Sequence, residues 1–186
     1  MSMGRRRRTG VYWGRFNPPH MGHLAMIRRF RRRCRLIVAI GSSEHYDELT
    51  NPFRGSERRR MLESYLEEMG ICDVRVVALN DGASEGWALE NLLKKCSPDL
   101  LFLSDERETL AALAEGKVAV VRFRRTGTVS STAIRRKIAS GDPDWKRMTG
   151  NTVVRLIEKY DGPARIRRSF DRAKPTERAG RAAGRS

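Results

Sequence analysis

The ten residues Gly14 to His23, GRFNPPHMGH, follow an apolar run, Val11-Tyr12-Trp13, and lead into a segment with helical spacing. Two of the chain's three histidines, His20 and His23, lie three residues apart directly after Pro18-Pro19. Proline fixes an extended approach and cannot continue a helix backward, so a helix begins just beyond the pair. At i and i+3, His20 and His23 then share one side of its first turn. Gly22 between them removes a side chain where something must approach the backbone closely. A helix start also offers free N–H groups and the positive end of the dipole, an anion site before any side chain is counted. Two imidazoles over that site can donate to phosphate oxygens, and Arg15 adds a fixed cationic fork suited to phosphate. A bare HxxH pair reads more readily as surface chemistry or as a metal pair lacking further ligands. Its position between a strand and a helix turns the reading toward an anion.

Working outward, β-branched runs alternate with helical segments. Strands are expected at TGVYW (9–13, ending at Gly14), RLIVAIGSS (35–43), VRVVAL (74–79), DLLFLS (99–104) and KVAVVRF (117–123). Between them, helices are expected over 20–34, from a Ser56 cap to a stop at Gly70, over 84–96, and over 106–116. Two more follow, at 131–141 and about 152–160. Leu24 and Ile27, then Met61, Leu62, Tyr65 and Leu66, then Leu89 and Leu92, form the inward faces. Five strands alternating with helices of ten to fifteen residues imply an α/β fold, a five-stranded parallel sheet with helices on both faces. Such sheets bind ligands beyond the carboxyl ends of their strands. The motifs after the first, second and fifth strands all fall at that edge.

With 186 residues and an apolar fraction of 39%, the chain suits one packed domain, placed at 9–168. Its net charge of +16 is uneven. Residues 1–8 hold four Arg and no acid, and residues 163–186 hold eight Lys or Arg against Asp171 and Glu177, so ten of the sixteen charges lie at the ends. The moderately basic body suits an anionic small ligand, while the ends, 1–8 and 169–186, read as basic mobile tails able to attract a polyanion. Cysteines 34, 72 and 96 form no CxxC pair and, with three His, no zinc pattern. There is no 18-residue apolar span, and MSMGRRRRTG lacks the apolar core of a secretory signal. The expected setting is the cytoplasm, with no membrane partner.

The string GRFNPPHMGH resembles the HxGH signature of the nucleotidyltransferase superfamily, which implies a Rossmann-like sheet. Gly41-Ser42, Asn51-Pro52-Phe53 and Glu57-Arg58 are similar to the GS…NPF…ER segment of the archaeal-type nicotinamide-mononucleotide adenylyltransferases. Ser130-Ser131-Thr132-Ala133-Ile134-Arg135 resembles their second signature. The resemblance runs from about residue 10 to 168. It implies transfer of the AMP moiety of ATP to nicotinamide mononucleotide, giving NAD and pyrophosphate, with Mg²⁺ accompanying ATP and no metal ligands from the protein. It implies a catalytic trio of His20, His23 and Arg135, and a phosphate cradle of Gly14, Arg15, Phe16, Gly22, Ser130, Ser131 and Thr132. Asn51, Arg58, Asp81 and Trp87 fall at the mononucleotide, with Trp87 stacked on the nicotinamide ring, and a homo-hexamer is implied. Read from spacing alone, Trp87 before Leu89 and Leu92 is more often core.

The sequence also departs from the resemblance. After Gly41-Ser42 the family has AQxSHT, whereas this chain has Ser43-Glu44-His45-Tyr46-Asp47-Glu48, and Asp105 stands where the family has Asn. FNPPH is closer to the bacterial nicotinate-mononucleotide enzymes. Two alternatives remain: a superfamily transferase with another acceptor (nicotinate mononucleotide, a flavin or pantetheine phosphate), or a nucleic-acid-binding protein using its basic ends. The absence of a GxxxxGK[ST] loop disfavours a P-loop ATPase, and the lack of aromatics among the arginines disfavours base reading.

Overall fold

A computed structural model describes residues 6–125 and 127–173. Strand β1, Thr9–Gly14, forms the centre of a five-stranded sheet with β2 (Arg35–Ile40), β3 (Arg75–Ala78), β4 (Leu100–Ser104) and β5 (Ala119–Phe123). All are parallel, in the order β3-β2-β1-β4-β5. Val11 pairs with Ile37 on one side and Leu101 on the other, so β1 needs apolar residues on both faces. The strand order reverses between β1 and β4, which opens a crevice at the carboxyl end of β1. GRFNPPHMGH starts there.

Period-two alternation divides the core into two layers. Tyr12, Val38 and Phe102 face α1 (Met21–Arg31), α2 (Gly55–Glu68), α5 (Ser131–Ser140) and α6 (Asn151–Lys159). On that face Phe30 stacks on Phe102 with ring centroids 4.0 Å apart, and Tyr12 meets Phe16, Phe30 and Phe123 edge-on. Val11, Trp13, Ile37, Leu101 and Leu103 face α3 (Glu85–Cys96) and α4 (Glu108–Ala114). The expected α/β class, with a parallel five-stranded sheet and helices on both faces, is the observed one.

Two elements went beyond expectation. A 3-10 turn, Pro143–Met148, buries Trp145 under α5. A seventh helix, α7 (Gly162–Arg172), starts at Pro163 and buries Ile166 and Ser169 against α5 and α6. Residues 169–172, expected to begin the mobile tail, therefore belong to a packed helix, because Ile166 and its neighbours give the basic segment an apolar face. Most of the expected tails, residues 1–5 and 174–186, lie outside the described residues. Among the described residues, no helix is long and apolar enough to cross a membrane.

Candidate active site

The first turn of α1 fixes the two histidines. His20 is the N-cap, and its Nδ1 accepts the Gly22 N–H at 3.1 Å, while His23 Nδ1 accepts the His20 N–H at 3.2 Å. This is the reciprocal geometry of a capping box, built from imidazoles instead of a hydroxyl and a carboxylate. The ring centroids lie 3.7 Å apart with the planes tilted by 32°, and Phe16 backs His23 at 4.6 Å. Burial, followed by the Arg125 charge, lowers the His20 pKa to about 4. Burial, His20 and Arg125 push His23 well below its ordinary value. Both rings are therefore neutral at pH 7. With each Nδ1 accepting, the single proton of each ring sits on Nε2. A Cβ at position 22 would come within 3.0 Å of the His20 ring, which explains Gly22.

Both rings line a cavity of about 490 Å³ at the carboxyl ends of the strands, a size suited to a nucleotide. Gly14, Arg15, Phe16, Ser130, Ser131, Thr132 and Arg135 line it as well. Ser130 caps α5 by accepting the Ala133 N–H, and Ser131 donates to the Pro18 carbonyl at 2.9 Å. Arg135 donates to the Asn17 carbonyl at 2.8 Å and to Thr132 Oγ1 at 3.2 Å, locking the two helix starts together. Among the described residues, the buried atoms Asn17 Oδ1, Arg58 Nε, Ser104 Oγ and Arg135 Nε have no hydrogen-bond partner. Asn17, Ser104 and Arg135 all line the cavity, where a polar ligand can supply one.

The other end is organised by Arg58, which lies behind the cavity wall. Arg58 is fully buried and donates to the carbonyls of Arg15 (2.8 Å), Gly41 (2.8 Å) and Ser42 (2.5 Å). It thereby braces the two loops whose residues Phe16 and Ser42 adopt left-handed backbone, φ 51° and 50°. Such a conformation costs roughly 1–2 kcal/mol in a residue with a Cβ. Arg58 was expected at the mononucleotide; its terminal nitrogens are bonded to backbone carbonyls and it is not among the residues lining the cavity. Asn51 is buried, bonded to Asn17 and Glu48, and is likewise absent from the cavity wall. Asp81 does line the cavity and accepts from the Ser42 backbone N–H (2.8 Å) and hydroxyl. Glu44, the departure from the expected glutamine, accepts the Asp81 and Gly82 N–H groups at 2.8 and 3.2 Å.

Trp87 sits outside the core at 50% exposure, despite its helical spacing to Leu89 and Leu92. Its ring lies over Gly82, whose φ is +58° and where a Cβ would approach within 2.3 Å of the indole. Two arginines escaped the sequence reading. Arg107 lies 5.0 Å over the Trp13 ring and 3.9 Å from Glu85, while Arg125 pairs with Glu106 at 3.5 Å; all four charged groups line the cavity. Their only signal was position just after β4 and β5, where ligand-facing loops gather.

A parallel sheet with an anion cradle at its switch point, two neutral imidazoles and several arginines defines a nucleotide-handling protein. Residues 11–137 match the cytidylyltransferase-like family, and the chain belongs to it. It is 32% identical to a nicotinamide-nucleotide adenylyltransferase of Pyrobaculum aerophilum, across 86% of this chain and 93% of that one. A protein of the same name from Aeropyrum pernix is 34% identical, across 83% and 93%. Among solved structures, the fold is similar to a bifunctional NMN adenylyltransferase/ADP ribose pyrophosphatase of Francisella tularensis complexed with AMP and Mn ion, with a TM-score of 0.71 and 20% identity. That match covers 89% of this chain and 53% of the other.

The depressed imidazoles give the fold a pH signature. Between the ordinary value of about 6.5 and the folded value of about 4 for His20, the unfolded chain binds more protons than the native one. Stability contributed by His20 is therefore complete above pH 6.5 and is lost as pH falls toward 4. Replacing His20 with Asn, a neutral N-cap, should flatten that part of the melting-temperature profile. A profile between pH 4 and 6.5 as steep as the wild type's would show that His20 is not buried neutral.

Proposed function

We propose that this chain joins the AMP moiety of ATP to nicotinamide mononucleotide, giving NAD and pyrophosphate. The observation that carries the reading is the pair of Nε2–H donors over a helix start, facing the SSTAIR helix start across one cavity. In the reaction a phosphate oxygen of the mononucleotide attacks the α-phosphorus of ATP. The bond from that phosphorus to the bridging oxygen breaks, and the electron pair leaves with pyrophosphate. No covalent intermediate is required, and each histidine Nδ1 is already committed to a backbone N–H. The protein's part is placement and charge stabilisation. His20 and His23 donate to the triphosphate, Arg15, Arg125 and Arg135 balance its charge, and Ser131 and Thr132 hold it from the α5 side.

Mg²⁺ enters as part of the ATP substrate. Among the described residues, no three His, Cys, Asp or Glu side chains come together to hold a metal, so its ligands would be phosphate oxygens and water. The acceptor lies at the Asp81 end, where Trp87 stacks on its ring. Asp81 accepts a hydrogen bond from a carboxamide N–H and repels a nicotinate carboxylate, which favours the amide acceptor. A cytoplasmic homo-hexamer completes the proposal.

Turnover with ATP and a panel of acceptors tests the reading directly. Nicotinamide mononucleotide should be preferred over nicotinate mononucleotide, flavin mononucleotide and pantetheine phosphate; preference for any other acceptor overturns it. His23→Ala should lower kcat by roughly 10²–10³ with a modest change in KM, the scale for losing one oxyanion-type donor. A folded variant with near-normal kcat would remove His23 from the chemistry.

Trp87→Ala separates stacking from packing. A half-exposed indole should change the melting temperature little, whereas a core tryptophan would cost about 3–5 kcal/mol. KM for the mononucleotide should rise while that for ATP stays near normal, and Trp87→Phe should recover part of the loss. Unchanged acceptor KM would place the nicotinamide ring elsewhere.

A further inference from the structure

Residues 44–50 of the β2–α2 loop are all exposed, yet this loop supplies Gly41, Ser42 and Thr50 to the cavity wall. Its tip is anchored from an unexpected direction. Arg165 of α7 donates from Nε to Asp47 Oδ1 at 2.9 Å and from Nη1 to both Glu57 oxygens at 2.9 Å. Its guanidinium lies 5.4 Å over the buried Phe53 ring, and its side chain is only 11% exposed. Arg172, two turns later, donates to the Asp47 carbonyl at 2.7 Å. Asp47 itself has φ 56°, a left-handed conformation that aspartate adopts more readily than most residues with a Cβ. Glu57 also accepts the Arg54 N–H at 2.8 Å, fixing the start of α2.

We propose that Arg165 is a positioning residue for the acceptor: through Asp47 and Glu57 it holds the β2–α2 loop in the shape that receives the mononucleotide. The inference rests on the proposed function for the identity of the acceptor. It also explains the sequence departure at 46–47. The loop lacks the expected Ser-His pair, and Asp47 supplies a carboxylate that α7 can grip. The guanidinium fork suits this role because one planar group reaches two carboxylates on different elements at once. Arg165 touches no cavity-lining residue among these partners, so its effect on the ligand passes through the loop. The ATP end is built on α1 and α5, and the loop meets it through Asn51, which accepts from Asn17 at 3.4 Å and donates to Glu48 at 3.3 Å.

The test compares Asp47→Asn and Arg165→Lys with the wild type. Asp47→Asn removes the charge from an exposed loop and leaves the Arg165–Glu57 pair in place, so the fold is retained. Acceptor KM should rise about five- to twentyfold, the scale for weakening a hydrogen bond to a charged group, while KM for ATP and kcat at saturation stay within about twofold. The double variant should be no worse than the poorer single one, since both break the same clamp. Hydrogen exchange of residues 44–50 should quicken in both variants, a readout independent of any substrate. An unchanged acceptor KM in Asp47→Asn, or unchanged exchange in the loop, overturns the clamp. A wild type that turns over ATP with a different acceptor would overturn the proposed function instead, and the exchange data would still decide the clamp.

Discussion

Two backbone N–H groups at the first turn of α1 decide what the site can do. Every helix leaves its first amides without intrahelical partners, and here His20 and His23 take two of them on their Nδ1 atoms. That single commitment sets the tautomer, aims both Nε2–H groups away from the helix, and keeps the rings from rotating. Burial and the Arg125 charge then keep them unprotonated. Neutral donors suit a site that must bind a highly charged ligand and release a charged product. Fixed dipoles stabilise developing charge beside the arginines without adding two further cations.

Arginine supplies the remaining constraint, in two distinct uses. Arg15, Arg107, Arg125 and Arg135 face the cavity. Arg58 and Arg165 do not, and instead hold backbone and loops. Arg58 satisfies three carbonyls beside the left-handed residues Phe16 and Ser42, so the strain in both loops is carried by one buried cation. A buried guanidinium is costly unless its donors are matched; its two terminal nitrogens are matched, and among the described residues its Nε has no partner. Arg165 extends the same logic to the loop tip. The basic composition, which at first suggests a polyanion, is thus partly internal scaffolding.

Much of the fold was legible because its signals were local. Three of the strand runs ended at glycine or serine, and the helix starts at Ser84 and Ser130 are capped by those hydroxyls; Ser56, expected as a cap, lies inside α2, whose N-cap is Arg54. The cradle was legible because GRFNPPHMGH and SSTAIR each hold their chemistry within one turn. What failed was non-local. Nothing in the spacing of Arg58 says that its head turns inward to carbonyls 16 to 43 residues away. Spacing alone favoured a core position for Trp87, although its ring is half exposed and lies over Gly82, where no side chain stands in its way. Helix α7 was hidden by its charge: the last expected helix ended at about 160, although proline at a first turn opens another.

The chemistry of the site turns on a histidine pair that is neutral and carries its protons on Nε2. Two-bond ¹H–¹⁵N correlation spectra of the imidazoles in the ligand-free protein at pH 7 report this directly. His20 and His23 should both show a protonated Nε2 and an unprotonated Nδ1, and His20 should keep this pattern down to about pH 5. Signals of a doubly protonated ring, or of a proton on Nδ1 in either residue at pH 7, would contradict it.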